Sequence, residues 1–244
     1  MITAPENQLF LFGLKEFFDE FKQLHISNTF PNKILLSGVK GVGKCTLAYH
    51  LINFILSKDE DFKYNLETNT INPQNRSFKL TQNKSNPNLI LIDVALDKKK
   101  IEISQIRNMI EVLNKSSLNS KPRFVLIDNI QYLNLNSTNA LLKIIEEPNI
   151  NINFILINNN KRIPHTLKSR CIEFKIVLTR KESSDVCEKL LGKRVEELIN
   201  PDFLDYYYTP GKIFNLINFA KENSINLKDL KLKKFLLLII SNNF

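Results

Sequence analysis

The sequence predicts an α/β protein: a doubly wound parallel sheet followed by a small helical domain. Three observations carry that prediction. Short apolar runs alternate with stretches of helical period between residues 33 and 176, as expected of strands covered on both faces by helices. A glycine-rich turn joins the first of these runs to a helix. From Leu178 onward only helical periods remain.

Apolar residues at Leu11, Leu14, Phe17, Phe18 and Phe21 give Gln8–Leu24 the spacing of an amphipathic helix. A strand at Lys33–Ser37 runs into Gly38, and a helix covers Lys44–Leu56. Residues 58–87 are polar and without period, which predicts a loop or insertion. Strand character returns at Asn88–Asp93, a helix follows at Ile103–Leu113, and Phe124–Asp128 is an apolar strand that ends in a carboxylate. Asn136 or Ser137 is placed to cap a helix running through Glu146, with Pro148 beyond its end. Asn153–Ile157 and Ile172–Ile176 complete the strands. Thr179 and Glu182 have the spacing of a capping box. Helices are expected at 180–191, 194–206, 211–222 and 227–240, with Pro210 and Gly211 as a break. The domains expected are 1–178, 179–223, and from 224 to 244 the start of a third, truncated or absent.

The chain has 244 residues, enough for one large or two small domains, and a formal net charge of +9. The basic surplus fits either a solvated lysine face or an affinity for polyanions. No apolar run reaches the roughly 20 residues of a membrane helix, and the start has no secretory pattern. A cytoplasmic protein with no membrane partner is expected. Cys45, Cys171 and Cys187 form no CxxC pair, so neither a disulfide framework nor a four-cysteine zinc site is expected.

Gly38, Gly41, Gly43, Lys44, Cys45 and Thr46 lie in a strand–loop–helix context that suits phosphate. Glycines allow backbone amides to turn toward phosphate oxygens, a helix N-terminus adds partial positive charge, and Lys44 is the cation for the outer phosphates. Two positions depart from a hydrolysing site. Cys45 stands where a magnesium-binding hydroxyl belongs, and magnesium wants oxygen. Asp128 is placed to hold the metal, but Asn129 follows it, and a neutral amide is no general base. The loop is then either inherited architecture or binds ATP or ADP without turnover.

Two further segments, Asn136-Ser-Thr-Asn-Ala-Leu-Leu-Lys-Ile-Ile-Glu-Glu-Pro148 and Pro164-His-Thr-Leu-Lys-Ser-Arg-Cys171, join that loop in a recognisable order. Together they resemble bacterial clamp-loader subunits of the AAA+ class, the gamma/tau and delta-prime subunits of DNA polymerase III. The resemblance covers roughly residues 5–215. It implies that Arg170 reaches in trans into a neighbouring subunit's ATP site, where a guanidinium stabilises charge on the transferred phosphoryl group. It places Asn158 or Asn159 where relatives sense the gamma-phosphate. Motor subunits carry an arginine about where Gly211 stands, so Cys45, Asn129 and Gly211 together point to the non-motor, delta-prime type. The implied partners are gamma/tau and delta, and through them the sliding clamp and primed DNA. Such a chain is a non-catalytic part of a DNA-directed DNA polymerase holoenzyme. Relatives carry a four-cysteine zinc module and a helical collar; residues 58–87 hold no cysteine, so no zinc is expected, and only residues from about 224 are left for a collar. The apolar stretch Phe235–Ile240 is then a contact surface or an aggregation liability. The alternatives are a self-sufficient ATPase of gamma/tau or helicase-loader type, and a module that binds DNA directly.

Overall fold

The protein is described from a computed structural model covering residues 4–95, 97–115, 119–146 and 151–242. Its contacts divide it into two compact units: residues 4–38 together with 44–176, and Val39–Gly43 together with 177–242.

The first unit is built on five strands: β1 (Lys33–Ser37), β2 (Leu89–Ile92), β3 (Arg123–Ile127), β4 (Ile152–Asn158) and β5 (Ile172–Lys175). They are ordered β2-β3-β4-β1-β5, and every neighbouring pair is parallel. α1 (Lys15–Ile26) precedes the first strand, and the crossover segments that parallel neighbours need hold α2 (Lys44–Leu56), α3 (Arg76–Gln82), α4 (Ile103–Asn114), α5 (Leu135–Glu146) and α6 (His165–Lys168). Leu35, Ile127, Phe154 and Leu156 of the sheet form one core with Ile106, Met109 and Leu113 of α4 and Leu141 and Ile145 of α5. Phe18 and Phe21 of α1 are fully buried; Phe18 packs against Tyr64 and Phe21 edge-on against Phe174 of β5.

The expected elements are present with three differences in this unit. The first helix begins at Lys15 instead of Gln8, because Gly13 takes a positive φ of 73° and interrupts the helical backbone. The cap of α5 is Asn134, not Asn136 or Ser137: its Oδ1 accepts from the Ser137 amide at 2.8 Å. Pro148, expected beyond that helix, lies outside the described residues. The polar stretch 58–87 is built around α3 and its buried N-cap, Asn75, which accepts from the Phe78 amide and donates to the Phe62 carbonyl, both at 2.8 Å. Burying amides in place of methyl groups leaves no hydrophobic period to read. Arg123 is a further buried polar anchor. Its guanidinium donates to the carbonyls of Val112, Leu113 and Lys115 and so satisfies the C-terminal end of α4.

The second unit holds α7 (Arg180–Leu191), α8 (Val195–Leu198), α9 (Pro210–Glu222) and α10 (Leu232–Ser241). The capping box at α7 forms: Thr179 Oγ1 accepts from the Glu182 amide at 3.2 Å, and Glu182 Oε2 accepts from the Thr179 amide at 2.7 Å. The helix expected over 194–206 stops at Leu198. Asn200 precedes Pro201 and is extended, since a residue before proline is excluded from helical backbone, and only a short 3-10 turn follows. Leu227 and Phe235 share one core with Cys187, Val195, Ile213 and Ile217. Phe235 meets Phe203 and Phe219 edge-on. The boundary expected at residue 223 therefore has a continuous core running through it, while Leu236, Leu237 and Ile240 of α10 remain exposed.

Candidate functional site

Strand order decides what meets at the carboxyl end of the sheet, where open parallel sheets present their ligand sites. β1, β3 and β4 are adjacent, so within the sheet unit the residues that follow them come together: Gly38 after Ser37, Asp128 and Asn129 after Ile127, and Asn158 and Asn159 at the end of β4.

Lys44 opens α2 and is buried; its Nζ donates to the Gly38 carbonyl at 2.8 Å. Burial pushes its ammonium down to about 8, against the pull of the Asp128 carboxylate. Burial, then the carboxylates of Asp128, Glu6 and Asp93, drives the Cys45 thiol well above its ordinary range. The sulfur therefore stays protonated. Burial, then the charge of Asp93, raises Asp128 as well. Thr46 sits one residue further round α2, about 100° from Cys45. Magnesium would need an oxygen at position 45 and meets a protonated thiol, so this donor set does not fit it. Among the described residues no three His, Cys, Asp or Glu side chains are grouped to hold a metal ion.

Asn129 is the hub of a closed amide network. Its Nδ2 donates to Asp93 Oδ1 at 2.8 Å, while its Oδ1 accepts from Asn159 Nδ2 at 2.8 Å and Gln131 Nε2 at 3.2 Å. Those bonds occupy both polar ends of the side chain that stands where a hydrolysing site needs a base. Asn158, one of the two residues expected to sense phosphate, turns to its own loop and bonds to both the amide and the carbonyl of Lys161. Asn159 is the one that joins the network. Asp93 and Gln131 escaped sequence reading; the available signal for Asp93 was that it ends an apolar strand just as Asp128 does.

Asn129 also has left-handed backbone, φ 57°, which asparagine tolerates better than most residues. Glu in its place loses that tolerance and sets a carboxylate beside exposed Asp93. Asn129→Glu is expected to cost about 1–2 kcal/mol, the charge part screened by solvent. Adding Asp93→Asn should return the charge part and leave the backbone part. Urea denaturation of the two variants measures both contributions, and an Asn129→Glu protein as stable as the parent would contradict the network.

In the helical unit, the turn Val39–Gly43 is tied to the start of α9. Gly211 donates its amide to the Gly41 carbonyl at 2.9 Å, and the buried Thr209 hydroxyl donates to the Lys40 carbonyl at 2.8 Å. Two N-terminal donors of a helix, which elsewhere bind anions, are thus spent on loop carbonyls. Both glycines are required. Gly41 has φ 92°, and a Cβ there would meet Thr209 Oγ1 at 2.5 Å; one on Gly211 would meet Gly41 Cα at 2.8 Å. No larger side chain, arginine included, fits at 211 in this arrangement.

Arg170 follows α6 and makes its contacts away from this network: Nη2 pairs with Glu146 Oε1 at 2.5 Å and Nη1 donates to the Thr166 carbonyl at 2.8 Å.

The model of a family described as DNA polymerase III, delta subunit, matches residues 13–179, more than half of the chain. The chain belongs to the DNA polymerase III clamp-loader subunit family. Among curated clamp-loader relatives, DNA polymerase III subunit gamma of Buchnera aphidicola subsp. Acyrthosiphon pisum is 28% identical over 198 residues, covering 79% of this chain and 52% of the relative. DNA polymerase III subunit delta' of Buchnera aphidicola subsp. Baizongia pistaciae is 32% identical over 165 residues, covering 62% and 46%. The chain spans about half the length of the curated relatives it matches. Among solved structures, the Thermotoga maritima RuvB Holliday junction branch migration motor is similar in fold, with a TM-score of 0.50 at 18% identity over 92% of this chain and 68% of that one. The sheet order and this likeness make the fold that of the AAA+ class. No helix among the described residues is long and apolar enough to cross a membrane.

Proposed function

We propose that this clamp-loader subunit is the non-hydrolysing, delta-prime type. In this reading it stands in a cytoplasmic ring beside a gamma/tau subunit and in contact with delta. It presents Arg170 to the neighbour's ATP and acts as the stator while the sliding clamp is loaded on primed DNA. The curated relatives carry both names, gamma and delta', so the choice of type rests on the site.

One observation carries it: the side chains at the two positions that a turnover site needs lack the chemistry for it. Burial and the nearby carboxylates keep the Cys45 thiol protonated, and the Asn129 amide is bonded at both ends. Cys45 has no oxygen to offer magnesium, and Asn129 is no base for water. Gly211 supports the same reading, since it packs against Gly41 where a motor subunit would need an arginine. The phosphate loop of this chain then serves the fold, and the hydrolysis it influences takes place on its neighbour.

The test is the DNA-stimulated ATPase of a loader assembled from this chain and the gamma/tau and delta subunits of the same cell. The reading expects the assembly to form, and its ATPase to depend on Arg170 of this chain. Failure to assemble, or an ATPase indifferent to Arg170, would reject it.

A further inference from the structure

The proposed finger is already held at two points. Arg170 lies just past α6, where the backbone turns through Ser169 amide to His165 carbonyl at 2.8 Å and Arg170 amide to Leu167 carbonyl at 3.3 Å. Its guanidinium reaches back over the same turn to the Thr166 carbonyl, at 2.8 Å, and across to Glu146, at 2.5 Å. Glu146 is the last residue of α5, a helix anchored in the sheet unit's core by Leu141 and Ile145. The two acceptors thus come from different elements, and each takes a different terminal nitrogen.

We propose that Glu146 is a positioning residue for Arg170: it fixes the plane and direction of the guanidinium that this subunit presents to a neighbour's phosphate. The proposal rests on the finger reading above. An arginine side chain is long and loses considerable rotamer freedom when it is fixed. Here that loss is met within the subunit, before any neighbour binds, so the finger meets its target already oriented. The guanidinium carries five N–H donors, and these two contacts use one on each terminal nitrogen. The pair is also weak enough to serve. Both side chains are substantially exposed, 35% for Arg170 and 48% for Glu146, and exposed ion pairs contribute little to stability. The carboxylate therefore orients the arginine without trapping it, and the more highly charged phosphate group of a bound nucleotide competes successfully.

A residue that acts only by orienting another has a distinct kinetic signature. In the assembled loader, Glu146→Ala should lower kcat for ATP by roughly 5- to 10-fold, with KM for ATP unchanged, as expected for lost orientation. Glu146→Gln keeps an acceptor oxygen of the same length and should fall between Glu146→Ala and the parent. The double variant Glu146→Ala, Arg170→Ala should be no slower than Arg170→Ala alone, because Glu146 has no other route to the reaction. If Arg170→Ala slows the loader while Glu146→Ala leaves kcat unchanged, or if the two losses multiply in the double variant, the positioning role is overturned and the finger stands. If Arg170→Ala itself has no effect, the finger reading falls and the positioning role with it.

Discussion

Replacing Arg170 by alanine is expected to lower the rate of ATP hydrolysis at the site it serves by roughly 10³-fold, the low end of what a finger arginine supplies in phosphoryl transfer. The physical reason is charge. The transferred phosphoryl group spreads negative charge over its outer oxygens, and a planar, permanently charged guanidinium stabilises that spread better than water does. Lysine at 170 keeps the charge and loses the fork, so Arg170→Lys should not rescue the rate. Within this chain the same arginine makes one half-exposed ion pair and one hydrogen bond to a carbonyl, together worth about 1 kcal/mol. A chain of this size therefore should lose only about 2–4 °C in thermal midpoint. A large kinetic loss beside a small stability loss is the expected pair of results. A large stability loss with little kinetic change would make Arg170 a structural residue.

Stability itself should fall steeply in mild acid, and His50 supplies the largest single cause. This side chain on α2 is fully buried. A carbonyl can only accept, so Nε2 must donate to the Gln8 carbonyl, at 3.0 Å; Nδ1 then accepts from the Tyr64 hydroxyl at 2.9 Å. That fixes a neutral tautomer with both nitrogens occupied. Burial holds the ring down at about 4 in the folded chain, against 6.5 when unfolded. Between those two values the unfolded chain takes up a proton that the folded chain refuses. The contribution is therefore complete above pH 6.5 and is lost as pH falls toward 4. It amounts to about 2 kcal/mol by pH 5 and about 3 kcal/mol by pH 4. Urea denaturation at pH 7.5 and pH 5 should show that loss in the parent. In His50→Gln, which does not titrate, the difference between the two pH values should shrink by about 2 kcal/mol. An equal pH dependence in both proteins would contradict the buried neutral ring.

The fold was largely legible because its signals are local and apolar. β1, β3 and β4 are short hydrophobic runs, α4, α7 and α9 keep a helical period, and Thr179 with Glu182 marks the start of α7 unambiguously. What escaped was polar or non-local. Asn53, Asn75 and Asn88 are buried and bonded, so the segment around α3 looks like a loop by composition although it is built. Pro201 ended α8 early, and the aromatic contacts of Phe235 absorbed residues beyond 223 into the helical unit.

The candidate site divides along the same line. Lys44, Cys45 and Asp128 carry motif spacing and were readable one by one. The Asp93–Asn129–Asn159 network joins the ends of three strands that become neighbours only through the sheet order. Register also decided between the two asparagines: β4 runs through Asn158, which leaves Asn159 as the first residue past the strand. The pairing of Glu146 with Arg170 links the ends of two separate helical segments, and no spacing rule announces it.

Whether this subunit turns over nucleotide of its own is read from phosphate release from magnesium-ATP by the purified chain beside its Lys44→Ala variant. The same background rate is expected for both, since Cys45 and Asn129 leave the site without a magnesium oxygen at position 45 and without a base. Magnesium-dependent turnover by the parent that disappears in Lys44→Ala would contradict that expectation and make the chain a motor subunit.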